Sequence, residues 1–126
     1  MGNGNVTSSK NEDPHQELNM QILDKTKKKE WEEILKMLRN PPYSSNLELI
    51  KKIGRYGYSL LHIASDQGEL QVIKTLIEEF GFDVDCLDLS RHTPIGFACA
   101  SNKIECVEYL IQKGSDVNKG FFFFLI

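Results

Sequence analysis

Gly57-Tyr58-Ser59-Leu60-Leu61-His62-Ile63-Ala64 is answered further along the chain by Arg91-His92-Thr93-Pro94-Ile95-Gly96-Phe97-Ala98, and the match between these two stretches decides the fold. Their offset is 34 residues. Carried forward, it lays Leu70 on Ile104, Val72 on Cys106, Ile73 on Val107, Leu76 on Leu110 and Ile77 on Ile111. One extra residue near Phe80 then brings Gly81 onto Gly114, Asp83 onto Asp116, Val84 onto Val117 and Asp85 onto Asn118. Apolar slots fall on apolar slots through the whole unit, the mark of an internal repeat of supersecondary size.

Each unit opens on a hydroxyl residue, Ser59 or Thr93, whose oxygen can take the orphan N–H groups of a helix start. Pro94 follows Thr93 at the first helical position, where a missing donor is harmless. Ala64 and Ala98 are small mid-helix residues that let a neighbouring helix approach. Gly68 and Asn102 tolerate the left-handed conformation that closes a helix, so the first helix of each unit spans only about two turns. A second helix follows, and Gly81 or Gly114 ends it. A helix pair this short cannot bury its own apolar face and becomes stable by stacking on a neighbour.

The first stretch resembles the G-x-T-P-L-H-x-A signature of ankyrin repeats, with Gly57, Ser59, Leu61, His62 and Ala64 in its slots, and the second keeps Thr93, Pro94 and Ala98. Gly81-Phe82-Asp83-Val84-Asp85 and Gly114-Ser115-Asp116-Val117-Asn118 resemble the family's G-A-D-V-N ending. The resemblance implies an all-α, short helix-pair solenoid with β-turn fingers. Two departures stand in the second unit: Gly96 replaces the family's His and Arg91 its turn Gly. Upstream, Gln21 to Leu38 resembles a divergent first repeat acting as a cap, and Leu49-Ile50 fit the entry to the first finger.

The expected organisation is a disordered leader over 1–15, a divergent helical cap repeat and loop over 16–53, repeat 1 over 54–87, repeat 2 over 88–120, and an apolar tail over 121–126. The leader is polar and Gly-rich and cannot offset its ordering entropy. Gln16 to Arg39 reads as helical, with Asp24 to Lys29 polar enough to hold a turn between two antiparallel helices. Pro41-Pro42 ends the second. Tyr43 to Asn46 reads as loop and Leu47 to Ile50 as a short extended or turn segment. The Phe121-Phe122-Phe123-Phe124-Leu125-Ile126 tail fits no repeat. It reads as the mark of a truncated or alternatively spliced product, as a lid over repeat 2, or as a docking or aggregating segment.

Composition narrows the function classes. The 126 residues carry a formal net charge of −3, too little of either sign to draw nucleic acid. Residues 1–52 hold nine Lys/Arg against eight Asp/Glu, and residues 53–126 hold six against ten. The mildly acidic repeat half leads one to expect a basic partner surface. Three cysteines without a CxxC pair read as packed thiols in a reducing compartment. The polar start carries no secretory signal, and no stretch reaches the roughly 18 apolar residues of a membrane span. A cytoplasmic or nuclear, unsecreted chain is expected. Met1-Gly2-Asn3 begins like a myristoylation signal, but Val6 stands where Ser or Thr is wanted; a lipid-anchored regulator through Gly2 is therefore a further alternative.

Nothing assembles a reaction. His62 and Ser59 are explained as repeat-motif residues, and Asp83, Asp85 and Asp88 lack the Gly and final Glu of a calcium loop. No His or Cys spacing suits zinc, so neither metal nor cofactor is expected. In the ankyrin family the concave face binds. The resemblance places Arg55, Tyr56 and Tyr58 of repeat 1 there, with Asp66 and Gln67 at the end of its first helix. Leu89, Ser90 and His92, then Ala100 and Ser101, are their counterparts in repeat 2. The expected function is a non-catalytic protein-interaction module, acting as scaffold, adaptor or regulatory binder. Its partner is another protein, the chain is monomeric, and the tail is its route to self-association. The alternative is a fragment of a longer repeat protein with no activity of its own.

Overall fold

A computed structural model describes residues 16–119. The leader over 1–15 with Gly2, Gly120 and the 121–126 tail lie outside the described residues. Six α-helices follow one another as three pairs: α1 (Gln16–Lys27) with α2 (Trp31–Leu38), α3 (Leu60–Gln67) with α4 (Leu70–Glu78), and α5 (Pro94–Ala100) with α6 (Ile104–Gln112). No strand occurs among the described residues; the first finger is closed by a single antiparallel bridge between Ile53 and Tyr58.

The helices end where local chemistry dictates. Ser59 Oγ accepts the Leu61 and His62 N–H groups, and Gly68 closes α3 at φ 76°. Thr93 Oγ1 accepts the Gly96 N–H with Pro94 in the first turn, and Asn102 follows α5 at φ 58°. Gly81 and Gly114 also take positive φ just after α4 and α6. Ala64 and Ala98 are fully buried between the pairs.

The cap differs from expectation at one point. Helix α1 runs through the polar Asp24–Lys27, and the turn is confined to Lys28–Glu30 with Lys29 at φ 59°. Ile22 and Thr26 are buried on α1, and the Thr26 hydroxyl donates to the Leu23 carbonyl, so its buried face outweighs the polar composition. Tyr43–Ser45, read as loop, and Leu47–Ile50, read as a short extended or turn segment, are both short 3₁₀ turns. Tyr43 is buried and its hydroxyl donates to Asn19.

The helices form two layers. On one side α1, α3 and α5 stand side by side. Gln67 Nε2 donates to the Thr26 carbonyl, and the Asp66 carboxylate accepts the Ser101 hydroxyl. On the other side are α2, α4 and α6, linked by a bidentate Arg39–Glu79 pair and by the Tyr109 hydroxyl donating to Glu78. Between them one continuous core runs from Ile22, Ile34 and Leu38 through Leu60, Leu61, Ile73 and Leu76 to Ile95 and Leu110. Each of these side chains contributes about 1.5–3 kcal/mol by leaving water. The core passes without a break from one unit to the next, so the stack, not the single helix pair, is the stable object.

Candidate protein-interaction face

The two fingers and the α1–α3–α5 layer bring the candidate residues together. In the first finger the Ile53 N–H donates to the Tyr58 carbonyl at 2.8 Å. Gly57 turns the chain at φ 68°, and a Cβ there would lie 2.7 Å from Leu89 Cγ. The second finger is organised by Asp88, which is buried. Its Oδ1 accepts the Ser90 and His92 N–H groups at 2.9 and 2.8 Å, and its Oδ2 lies 3.1 Å from His92 Nδ1. This carboxylate cage holds Arg91 at φ 67°, a conformation that costs a side-chain-bearing residue about 1–2 kcal/mol. The finger is thus regular without the family's glycine. The Leu89 N–H donates to the Tyr56 carbonyl at 3.0 Å, tying finger to finger.

His62 joins the units. Its Nδ1 accepts the Ser59 N–H at 3.1 Å, so the proton resides on Nε2, which donates to the His92 carbonyl at 2.8 Å. Burial holds its pKa below the ordinary 6.5 against the opposing pull of the His92 carbonyl and Asp88. The imidazole is therefore neutral and used up in structural bonds. Cys86 Sγ lies 3.3 Å from Ser59 Oγ, and burial raises its thiol to about 11. Ser59, His62 and Cys86 thus sit together without an ionised nucleophile.

An aromatic cluster covers this joint. The Phe97 ring meets Tyr58, His62 and His92 edge-on at 5.5, 5.5 and 5.7 Å between centroids, and Tyr56 lies 5.6 Å from Tyr58. Beside the cluster a groove of about 230 Å³ opens between α1 and α3. Leu23, Tyr58, Ile63 and Phe97 give it apolar walls, and Lys27, Asp66 and Gln67 stand among its polar lining.

Of the ten candidate residues, Tyr58, Asp66 and Gln67 line the groove. Arg55, Tyr56, Leu89 and Ser90 are exposed on the fingers, and Ala100 is exposed at the end of α5. His92 and Ser101 are half-buried. The Gln67 amide is engaged inside the protein: Oε1 accepts the Trp31 indole N–H and Nε2 donates to Thr26, both at 2.8 Å. Leu23, Lys27, Ile63 and Phe97 were not among the sequence candidates. Phe97 carries a signal that was available, because it fills the variable slot beside Ala98 where repeat 1 has Ile63. Leu23 and Lys27 carry none, since only stacking brings α1 against α3.

Among the described residues no cluster of His, Cys, Asp or Glu is arranged to hold a metal ion, and no helix is long and apolar enough to cross a membrane.

Comparison with known proteins agrees with this architecture. A family described as ankyrin repeats (3 copies) matches residues 26–120, so the divergent cap region counts as a repeat. Alpha-latrocrustotoxin-Lt1a of Latrodectus tredecimguttatus is 40% identical over 58 residues, 46% of this chain and 4% of that protein. Human ankyrin repeat domain-containing protein 53 is 32% identical over 66 residues, 49% of this chain and 12% of its own length. The probable E3 ubiquitin-protein ligase XBOS31 of Oryza sativa subsp. japonica is 38% identical over 60 residues, 48% of this chain and 13% of its own. The chain therefore spans only a small part of these relatives.

Proposed function

Because this chain belongs to the ankyrin-repeat family, we propose that it is a non-catalytic protein-interaction module that binds through its fingers and the α1–α3–α5 layer. The observation that carries this is the apolar groove beside the Tyr58–Phe97 pair, next to finger residues exposed to solvent. Tyr56 is 53% exposed and Leu89 66% exposed, and aromatic residues with an adjacent Arg are the usual anchors of interfaces. Arg55, Tyr56 and Tyr58 supply the first finger's contacts, and Leu89, Ser90 and His92 the second's. Asp66, Gln67, Ala100 and Ser101 edge the layer. Replacing Tyr56 and Tyr58 together by Ala should leave helical circular dichroism intact and remove proteins captured by the wild-type chain. An unchanged set of captured proteins overturns the site.

A second reading is that this segment works only within a longer stack. Ile104, Ile111 and Val117 are 60%, 52% and 48% exposed on and just after α6, and such a face is one that a further unit would cover. A thermal melt separates the two: a cooperative helical transition supports an autonomous module, and a broad one supports the longer stack.

A further inference from the structure

We propose that the groove takes an acidic segment of a partner protein that inserts one bulky apolar side chain between Tyr58, Ile63 and Phe97. The inference rests on the interaction-module function proposed above and adds the partner's chemistry.

Size selects the anchor. A volume of about 230 Å³ falls below the ~300–1,000 Å³ of small-molecule pockets, and suits one large side chain presented by a peptide. The walls select its character, since Leu23, Tyr58, Ile63 and Phe97 offer carbon and ring edges.

Charge selects the flanks, and here the tertiary structure reverses the expectation from composition. Lys27 lines the groove and is exposed. Arg55 stands two rings from it: its guanidinium lies 5.9 Å from the Tyr56 ring, whose centroid is 5.6 Å from that of the groove residue Tyr58. Neither Lys27 nor Arg55 has a carboxylate partner among the described residues. Arg91 is exposed on the second finger, one residue before His92, whose ring touches Phe97.

One acidic group, Asp66, lines the groove and keeps its charge, and the others are buried or distant. Asp66 accepts the Ser101 hydroxyl, and Asp88 is buried, bonded to the backbone of its own turn. Helix α5 carries no charged residue. Glu78 and Glu79 belong to the opposite layer, where Lys113 and Arg39 meet them. Asp85 accepts the Asp116 N–H in the loops beyond the second helices. Most of these carboxylates thus lie away from the groove, and among the exposed charges beside it Lys27, Arg55 and Arg91 outnumber Asp66. Such a surface steers and holds a segment of opposite charge.

The test is selection of random displayed peptides on the full chain. The selected peptides are then synthesised and titrated by fluorescence anisotropy against wild type, a Lys27→Glu/Arg55→Glu double variant and Phe97→Ala. The selected peptides should carry Asp or Glu beside a Leu or aromatic residue. The double charge reversal should weaken them at least tenfold with unchanged circular dichroism, and raising salt should weaken wild-type binding. Peptides without an acidic excess, or affinity indifferent to the charge reversal, overturn the inference. If Phe97→Ala still abolishes that binding, the groove stands as the binding site with different partner chemistry. Binding indifferent to both variants, or no enrichment at all, overturns the inference and the site together.

Discussion

Replacing His62 by Ala should cost about 3 kcal/mol of folding stability, and the structure supplies the parts of that figure. The Ser59 N–H, buried with its residue at 2% exposure, loses its acceptor. A buried donor left unpaired costs ~1–3 kcal/mol. The His92 carbonyl loses a 2.8 Å bond but keeps the Asp88 N–H at 3.1 Å, so its share is nearer ~1 kcal/mol. The vacated space also removes an edge contact with Phe97. For a stack of this size the loss lowers the melting temperature by roughly 12–20 °C. Urea unfolding followed by circular dichroism measures it. A pH series adds a second signature. Burial keeps the folded imidazole's pKa below 6.5, so the unfolded chain takes up a proton that the folded chain refuses. The stabilising contribution is whole above pH 6.5 and is lost as pH falls from there through the folded pKa, by at most ~1.4 kcal/mol per pH unit. The Ala variant should lose that part of the slope. A destabilisation under about 1 kcal/mol, or a slope identical to wild type, refutes the assigned role of His62.

Three further outcomes are expected. Gly57→Ala should destabilise by about 2 kcal/mol, part from its positive φ and part from Leu89; in a Leu89→Ala background only the φ part, about 1 kcal/mol, should remain. Equal costs in both backgrounds would show that the Leu89 contact is immaterial. Ser65 is fully buried and its hydroxyl finds no hydrogen-bond partner among the described residues, so Ser65→Ala should raise stability by about 1 kcal/mol; a loss on thermal unfolding counts against this. Cys86, raised to about 11 by burial with only partial relief from the Ser59 hydroxyl, should react with iodoacetamide at pH 8 roughly 100-fold more slowly in the folded chain than in urea. Mass spectrometry of the alkylated peptide reads this directly, and equal rates would contradict it.

The short-range features of this protein are legible in its residues. Ser59, Thr93 and Pro94 start helices, Gly68 and Asn102 stop them, and the apolar slots recur at the period of a helix pair, because caps and periodicity act within a few residues of chain. The family resemblance adds that such pairs stack. The same local view assigns Gln67 to the binding face, yet its amide ties Trp31 and Thr26 to α3 across 36 and 41 residues. It leaves Asp88 without a role, though that carboxylate builds the second finger where Arg91 replaces glycine. It sums the charges of residues 53–126 to a net acidity that the two layers then sort to different sides. What the sequence by itself determined is the repeating helix pair and its order. What the tertiary structure decided is the groove and the partners of Gln67 and His62, because each arises from atoms in separate units that meet only when those units stack.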